Sequence, residues 1–483
     1  MSKRWTGVRT GGTGGAPPVG RVARNAKLAG LPIAYAGRQA AGVGKRALGR
    51  SPAEIDLEIQ MRTAQHIFEV LGELKGCATK LGQILSLYEL ALPGDLAQPY
   101  RTALTQLQDS APIMLPAAVH TAMAAALGPD WRRYFLDFDD RRAAAASIGQ
   151  VHRATWHDGR SVAVKVMYPG GRTAVLDDLR QLRRISVLAS VFAPGTDVPA
   201  VTEALCKCVA GELDYAAEAR HQQVFAGAYA GDPDFVVPAV ILQREDVIVS
   251  EWLTGTPVSR IIESGAPAER SRVGMLILRF IVSTWERTEL LYCDPHPGNF
   301  RILPDGRLGI VDFGACVTWP EAGFEELMVD FLDAALNGGI PALDAAVRRH
   351  GIVAPGRAYD VEALAEGLAI ACEPLAQPHF RLTTEWLRGR VRYVLEPRLS
   401  NVHRQVGLPA YVTPFSRAFL TGLAVLCQLE TEGAIREEVA HWAPELAAVF
   451  ERFDARHGQP TDLAIARQAR SAAVVRLPAR RLS

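Results

Sequence analysis

Apolar residues recur at helical spacing at Ile55, Ile59, Ala64, Ile67 and Leu71, and Ser51, Pro52 and Glu54 supply the cap, first position and first-turn acid of a helix. One or two long helices are expected over 51–90, stopped by Pro93-Gly94, with further helices over 97–108 and 115–127. The period then shortens to that of strands over 135–138, 151–156 and 162–166, the last two joined by the turn-forming His157-Asp158-Gly159. Helical patterns fill 175–192 and 198–229, and strand candidates return at 235–237 and 247–250. From residue 257 the pattern is mainly helical, interrupted by short strands over 300–303 and 308–311 around Asp305-Gly306. No internal repeat is visible. The order is α+β: a sheet-rich stretch followed by a longer helical one.

Composition narrows the class without naming it. With 48% hydrophobic and 22% charged residues over 483 positions, the chain has ample core material for two domains or one large two-lobed unit. The net charge of +1 hides an asymmetry, because residues 1–50 hold ten Lys or Arg and no Asp or Glu. Two readings of that basic, partly apolar arm stay open: docking on an anionic lipid surface, or a solvated tail. Nucleic-acid binding is not expected, since no reader module accompanies the arm. Seven scattered cysteines do not form a disulfide framework, and Cys206 and Cys208 lack a second pair at zinc-finger spacing. No run reaches roughly 18 uninterrupted apolar residues, and no secretory pattern opens the chain, so the expected location is the cytoplasm.

Chemistry concentrates in 291–314, where "LYCDPHPGNF" and "LGIVDFGA" set Asp294, Asn299 and Asp312 at intervals of five and thirteen. That order suits phosphoryl transfer in the protein-kinase fold. A loop Asp orients an acceptor hydroxyl, and an Asn and the Asp of Asp-Phe-Gly hold magnesium against phosphates. Upstream, "VAVKVMYP" puts Lys165 mid-strand among apolar neighbours, where its charge needs an anion. Where a protein kinase would carry a glycine-rich loop, this chain reads Ala144-Ala145-Ala146-Ser147-Ile148-Gly149. Alanine restricts positive φ and close approach, so a stiffer phosphate-covering turn is expected there. Glu251, after the 247–250 strand, is placed with the nucleotide-binding residues. His296, flanked by two prolines, is expected to shape its loop.

Six segments in the same order, "KGCATKLGQILS", "AAAASIGQVHRA", "VAVKVMYPG", "GELDYAAEARH", "CDPHPGNF" and "VDFG", resemble the UbiB/ADCK family of atypical kinases, its coenzyme-Q-associated members above all. The resemblance implies a bilobal protein-kinase-like fold. Its parts would be a basic arm (1–50), a helical extension carrying the KxGQ motif (51–130), a sheet-rich lobe with inserted helices (131–256), a mainly helical lobe (257–460) and a tail (461–483). It further implies that Lys80 and Gln83 of KxGQ, and Glu212 and Asp214 of the family's ExD pair, face the nucleotide, and that Glu218 pairs with Lys165. Within one helix, Glu212 and Glu218 would share a side. Implied cofactors are ATP or ADP with Mg2+, and implied partners are quinone precursors or other lipids at a membrane's inner face. A homodimer is the default oligomer. Asp294 follows Cys293 rather than Arg and no Ala-Pro-Glu closely follows Asp312, so a peptide-docking platform is not expected.

Three functions remain open on sequence. The first is an ATPase or kinase supporting isoprenoid-quinone or related lipid metabolism. The second is a small-molecule phosphotransferase of the aminoglycoside-kinase type, against which the KLGQ and ELDY segments argue. The third is a nucleotide-sensing scaffold without catalysis.

Overall fold

Alternation along the central strands decides the architecture of the first half. Strands β1 (Phe135–Ala146), β2 (Gly149–Trp156), β3 (Ser161–Met167), β5 (Val240–Arg244) and β6 (Val247–Glu251) form an antiparallel sheet in the order β1-β2-β3-β6-β5. Val162, Val164 and Val166 of β3 and Val247 and Val249 of β6 are buried on one face. Against them pack Val119, Met123 and Leu127 of helix α1 (Pro116–Leu127) and an aromatic cluster of Trp131, Phe135, Phe138 and Trp156. The computed structural model describes residue 37 and residues 113–189, 198–318, 324–394, 402, 406–407 and 409–457. Apart from Gly37, all of these belong to one compact unit, Lys75–Ser483. The basic arm, the helices expected over 51–90 and 97–108, Lys80 and Gln83, and the 461–483 tail lie outside the described residues.

Two helices, α2 (Gly171–Ala189) and α3 (Val198–Gly211), follow β3 and share a small core of Val175, Leu179, Cys206 and Val209. The helix expected over 198–229 is not continuous. It breaks at Glu212-Leu213-Asp214 and restarts as α4 (Tyr215–Ala228), because Asp214 turns back to cap it, accepting from the amide of Ala217 at 2.9 Å. Glu212 and Glu218 are therefore not two positions on one helix face.

The helical half is built on α6 (Pro267–Thr288), 22 residues long, preceded by the short α5 (Val258–Ser264). Proline at its start, Glu269 in the first turn and Arg287 in the last suit both helix ends. Its Ile277 and Phe280 sit at the centre of the main core with Phe225, Tyr292, Phe300 and Phe313. Around α6 run the strands β4 (Phe235–Val236), β7 (Thr256–Pro257), β9 (Phe300–Ile302) and β10 (Leu308–Ile310), in the order β4-β10-β9-β7. The pair β8 (Leu290–Tyr292) and β11 (Cys316–Thr318) brackets the motif region. Helices α7 (Phe324–Asp333), α8 (Gly339–Arg349), α9 (Val361–Ala371), α10 (Thr384–Val394), α11 (Thr413–Gln428), α12 (Ile435–Trp442) and α13 (Pro444–His457) complete the unit. The fold is protein-kinase-like: an antiparallel sheet followed by a mainly helical part.

Among the described residues one helical stretch, Ala410–Gln428, is long and apolar enough to cross a membrane by length and composition. One face of it packs inward, with Ala418 buried against Leu291, Cys293 and Ala315, while Phe419 and Leu420 are exposed.

Candidate active site

Strand register places Lys165 opposite Val151 of β2 and Ile248 of β6, and the alternation that buries its valine neighbours turns it to the other face of the sheet. There its Nζ donates to Glu218 Oε1 at 2.6 Å and to Asp312 Oδ2 at 3.1 Å. Residues 53 and 147 positions away in sequence thus meet one ammonium. The Tyr215 ring lies 5.3 Å from the same Nζ.

The charge balance at this point is negative. Burial pulls the Lys165 ammonium down, but Asp312 and Glu218 outweigh it and hold the group well above its usual range. Burial pushes the Glu218 carboxyl up to about 7, against the pull of Lys165 and with a further push from Asp312. Among the described residues one ammonium faces two carboxylates, so Lys165 stays charged and the excess negative charge weighs on Glu218, the more buried acid. Gly314 donates its amide to Asp312 Oδ1 at 3.0 Å. A Cβ there would stand 3.3 Å from Glu218 Oε2 and 3.4 Å from Asp312 Oδ1, so glycine keeps room between the two acids.

The Asp-Phe-Gly segment is seated by α4. Phe313 is fully buried, 4.9 Å from the Phe225 ring, and His221 Nδ1 lies 3.4 Å from its carbonyl oxygen. Glu218, Gln222 and Phe225 are all buried on α4, so one helix both pairs the strand lysine and packs the segment that carries Asp312. Tyr292 donates its hydroxyl to the Asp312 carbonyl at 3.0 Å.

Asp294 follows β8, and the loop beyond it is rigidified by Pro295 and Pro297. Asn299 Nδ2 donates to the Asp294 carbonyl at 3.0 Å and approaches its Oδ2 at 3.5 Å. The amide of Val311 donates to the Asn299 carbonyl at 3.0 Å, tying this loop to the strand before Asp312. His296 Nδ1 accepts from the Gly298 amide at 3.2 Å, a loop-shaping contact. Glu212, in the turn before α4, accepts from Arg417 Nη2 of α11 at 3.0 Å, and the same nitrogen stands 3.9 Å from Asp294 Oδ1. Burial works against the Arg417 charge, yet Glu212 and Asp294 hold its pKa above the ordinary value.

The remaining expected residues are placed as follows. Ala144, Ala145 and Ala146 belong to β1 rather than to a loop, with Ala146 paired to Gly149 across a tight turn of Ser147 and Ile148. A Cβ on Gly149 would stand 2.2 Å from the Val166 carbonyl oxygen and 3.0 Å from the Tyr215 hydroxyl, so this glycine serves close strand approach. The Glu251 carboxylate accepts from the Ala239 amide at 3.2 Å and lies 3.6 Å from Arg160. Asp214 is exposed and spent as the cap of α4. Two residues of the site escape the motifs altogether, Phe225 and Arg417. Arg417 has a signal, being the single charge in the apolar sequence of α11.

A lysine on a central strand, its helix glutamate, an Asp/Asn loop and an Asp-Phe-Gly aspartate follow one another in the order of a protein-kinase-like site, with the lysine held between the glutamate and the aspartate. The ABC1 atypical kinase-like domain matches residues 106–340. The chain belongs to this family, the UbiB/ADCK atypical kinases. It is 28% identical over 329 residues to the mitochondrial atypical kinase COQ8B of Danio rerio, covering 66% of this chain and 52% of that protein. It is 31% identical over 334 residues to the mitochondrial atypical kinase coq-8 of Caenorhabditis elegans, covering 66% and 43%. The chain thus spans about half the length of the curated relatives it matches. Among solved structures it resembles Rv3197 of Mycobacterium tuberculosis, determined in complex with erythromycin, with TM-score 0.60 and 37% identity over 82% of this chain and 100% of that one.

Proposed function

We propose that this chain binds a magnesium-bound adenine nucleotide and transfers or hydrolyses its terminal phosphoryl group, in support of isoprenoid-quinone or related lipid metabolism at a membrane surface. The observation that carries the reading is the contact of Lys165 with both Glu218 and Asp312, 2.6 and 3.1 Å away. The donor set fits magnesium. Among the described residues Lys165 faces two carboxylates, Glu218 and Asp312, and Glu218 Oε2 is buried without a hydrogen-bond partner. Asp312 and Asn299 offer the hard oxygens that such a cation takes alongside waters and phosphates. When bound, the cation neutralises charge on the phosphate oxygens.

The chain's own groups do the rest. Lys165, steadied by Glu218, turns an ammonium toward the phosphates. Asn299, with Nδ2 committed to Asp294, presents Oδ1 to the cation. Asp294 orients the attacking hydroxyl or water, and the Ser147-Ile148 turn with its flanking alanines covers the nucleotide. Lys80, Gln83 and Glu251 are assigned to the same nucleotide by family resemblance.

Phosphate release from Mg-ATP, with and without liposomes, tests the catalytic half of the reading. Asp312→Asn is expected to slow it by about 10²-fold or more, the scale of losing one key electrostatic group. Equal rates in variant and wild type would favour the scaffold reading. Quinones and their precursors compared between cells with and without the protein test the pathway. The Mycobacterium tuberculosis relative supports a second reading, binding of a macrolide-like ligand, and a melting shift with erythromycin on this chain tests it.

A further inference from the structure

Three separate parts of the chain meet behind the catalytic loop. Glu212 comes from the turn between α3 and α4, Asp294 from the loop after β8, and Arg417 from the second turn of α11. Nη2 of Arg417 lies 3.0 Å from Glu212 Oε1 and 3.9 Å from Asp294 Oδ1, and the three side chains are 7%, 9% and 10% exposed. In a site this dry two neighbouring carboxylates repel strongly, and a fixed guanidinium beside both of them opposes that repulsion.

The helix delivering that cation is itself held against the loop. Ala418 is buried with Leu291, Cys293 and Ala315, and Gly422 passes so close that a Cβ there would stand 3.5 Å from Pro295 Cγ and 2.9 Å from Ile281 Cδ1. Arg417 therefore reaches the carboxylates from a backbone with little freedom to move. Among the described residues its Nη1 is buried without a hydrogen-bond partner, a cost that an arginine serving only its own solvation would not carry. Arg417 also lies well beyond the family match, which ends at residue 340.

We propose that Arg417 is a positioning residue of the phosphoryl-transfer site, clamping the Glu212 turn to the catalytic loop and so fixing the direction in which Asp294 presents its carboxylate. The inference rests on the nucleotide reading given above, and it makes the C-terminal helical region part of the site. Arg417 touches neither nucleotide nor acceptor. Its loss acts on the rate of transfer and leaves Lys165, Glu218 and Asp312 to bind nucleotide as before.

The test uses the full chain and three variants, Arg417→Met, Arg417→Lys and the double variant Glu212→Gln/Arg417→Met, each measured for kcat and KM with Mg-ATP and for melting. Arg417→Met is expected to lower kcat by about 10²-fold, the scale of a small misplacement of a reacting group, while KM stays within about threefold. Arg417→Lys should recover part of the rate by restoring the charge without the fork. The double variant should also recover part of it, because the repulsion is gone; it carries the test if Arg417→Met melts below the assay temperature. An unchanged kcat in Arg417→Met, or a folded double variant no faster than the single one, overturns the proposal while the nucleotide reading stands. A wild type that binds and turns over no nucleotide overturns both.

Discussion

Single side chains carry two separate tasks in this molecule, balancing charge at the candidate site and tying β2 to β1 and to the segment before α1. Lys165 balances Glu218 and Asp312 in a site where Glu218 is almost wholly buried. Replacing it by methionine strands two carboxylates and should lower stability by about 3–5 kcal/mol, read by chemical denaturation. A loss under about 1 kcal/mol would mean the pair is solvated. His152 does the second task. Its Nδ1 donates to the Asp139 carbonyl at 2.9 Å, its Nε2 accepts from Gln150 Nε2 at 2.8 Å, and Gln150 Oε1 in turn accepts from the Met114 amide at 3.2 Å. A proton on Nε2 would face the amide NH2, and turning that amide would orphan the Met114 N–H. Burial accordingly pushes the His152 pKa below its ordinary 6.5. A histidine depressed on folding takes up its proton more readily when unfolded, so stability is full above 6.5 and falls as pH drops below it. Melting temperature should decline from pH 7.5 to 5.5, and the decline should shrink in His152→Gln; identical slopes would refute the role given to His152.

Elements show why some of the site was legible in the sequence and some was not. Lys165, Asp294, Asn299 and Asp312 were readable as candidates because each lies in a short segment whose residue types and spacing follow from the chemistry, and the structure pairs Lys165 with Asp312 and Asn299 with Asp294. The β2 and β3 strands were legible through alternation. The break at Glu212-Leu213-Asp214 was not, because the helical pattern runs on across it and only the Asp214 cap reveals the restart. The alanine run was expected as a loop, yet alanines tolerate a strand, and pairing with β2 decides. Arg417 was missed because it acts through tertiary contact, far from any motif. At this scale Gly149→Ala is the informative change. Its methyl would collide with the Val166 backbone, so overpacking should cost about 1–3 kcal/mol and loosen the β2–β3 pair beside Lys165. Hydrogen exchange at Val166 and Lys165 that is no faster than in wild type would contradict that view.

At the scale of the whole molecule, the proposed nucleotide site draws on a sheet, a helix and two loops. Phe225 is the joint between them, fully buried against Phe313, Tyr229 and Phe280. Phe225→Ala should cost about 3–5 kcal/mol and weaken nucleotide binding together with stability, since the cavity opens behind the Asp-Phe-Gly segment. A ligand that binds only the folded chain raises its stability by about 2.7 kcal/mol at a hundredfold excess over Kd. The most direct measurement is therefore calorimetric titration of the full chain with ADP, with and without Mg2+, on wild type, Lys165→Met and Asp312→Asn. Wild type is expected to show saturable, magnesium-dependent binding, weakened in the first variant and stripped of its magnesium dependence in the second. Binding that is absent in wild type, or that is indifferent to both substitutions, would contradict the proposed site.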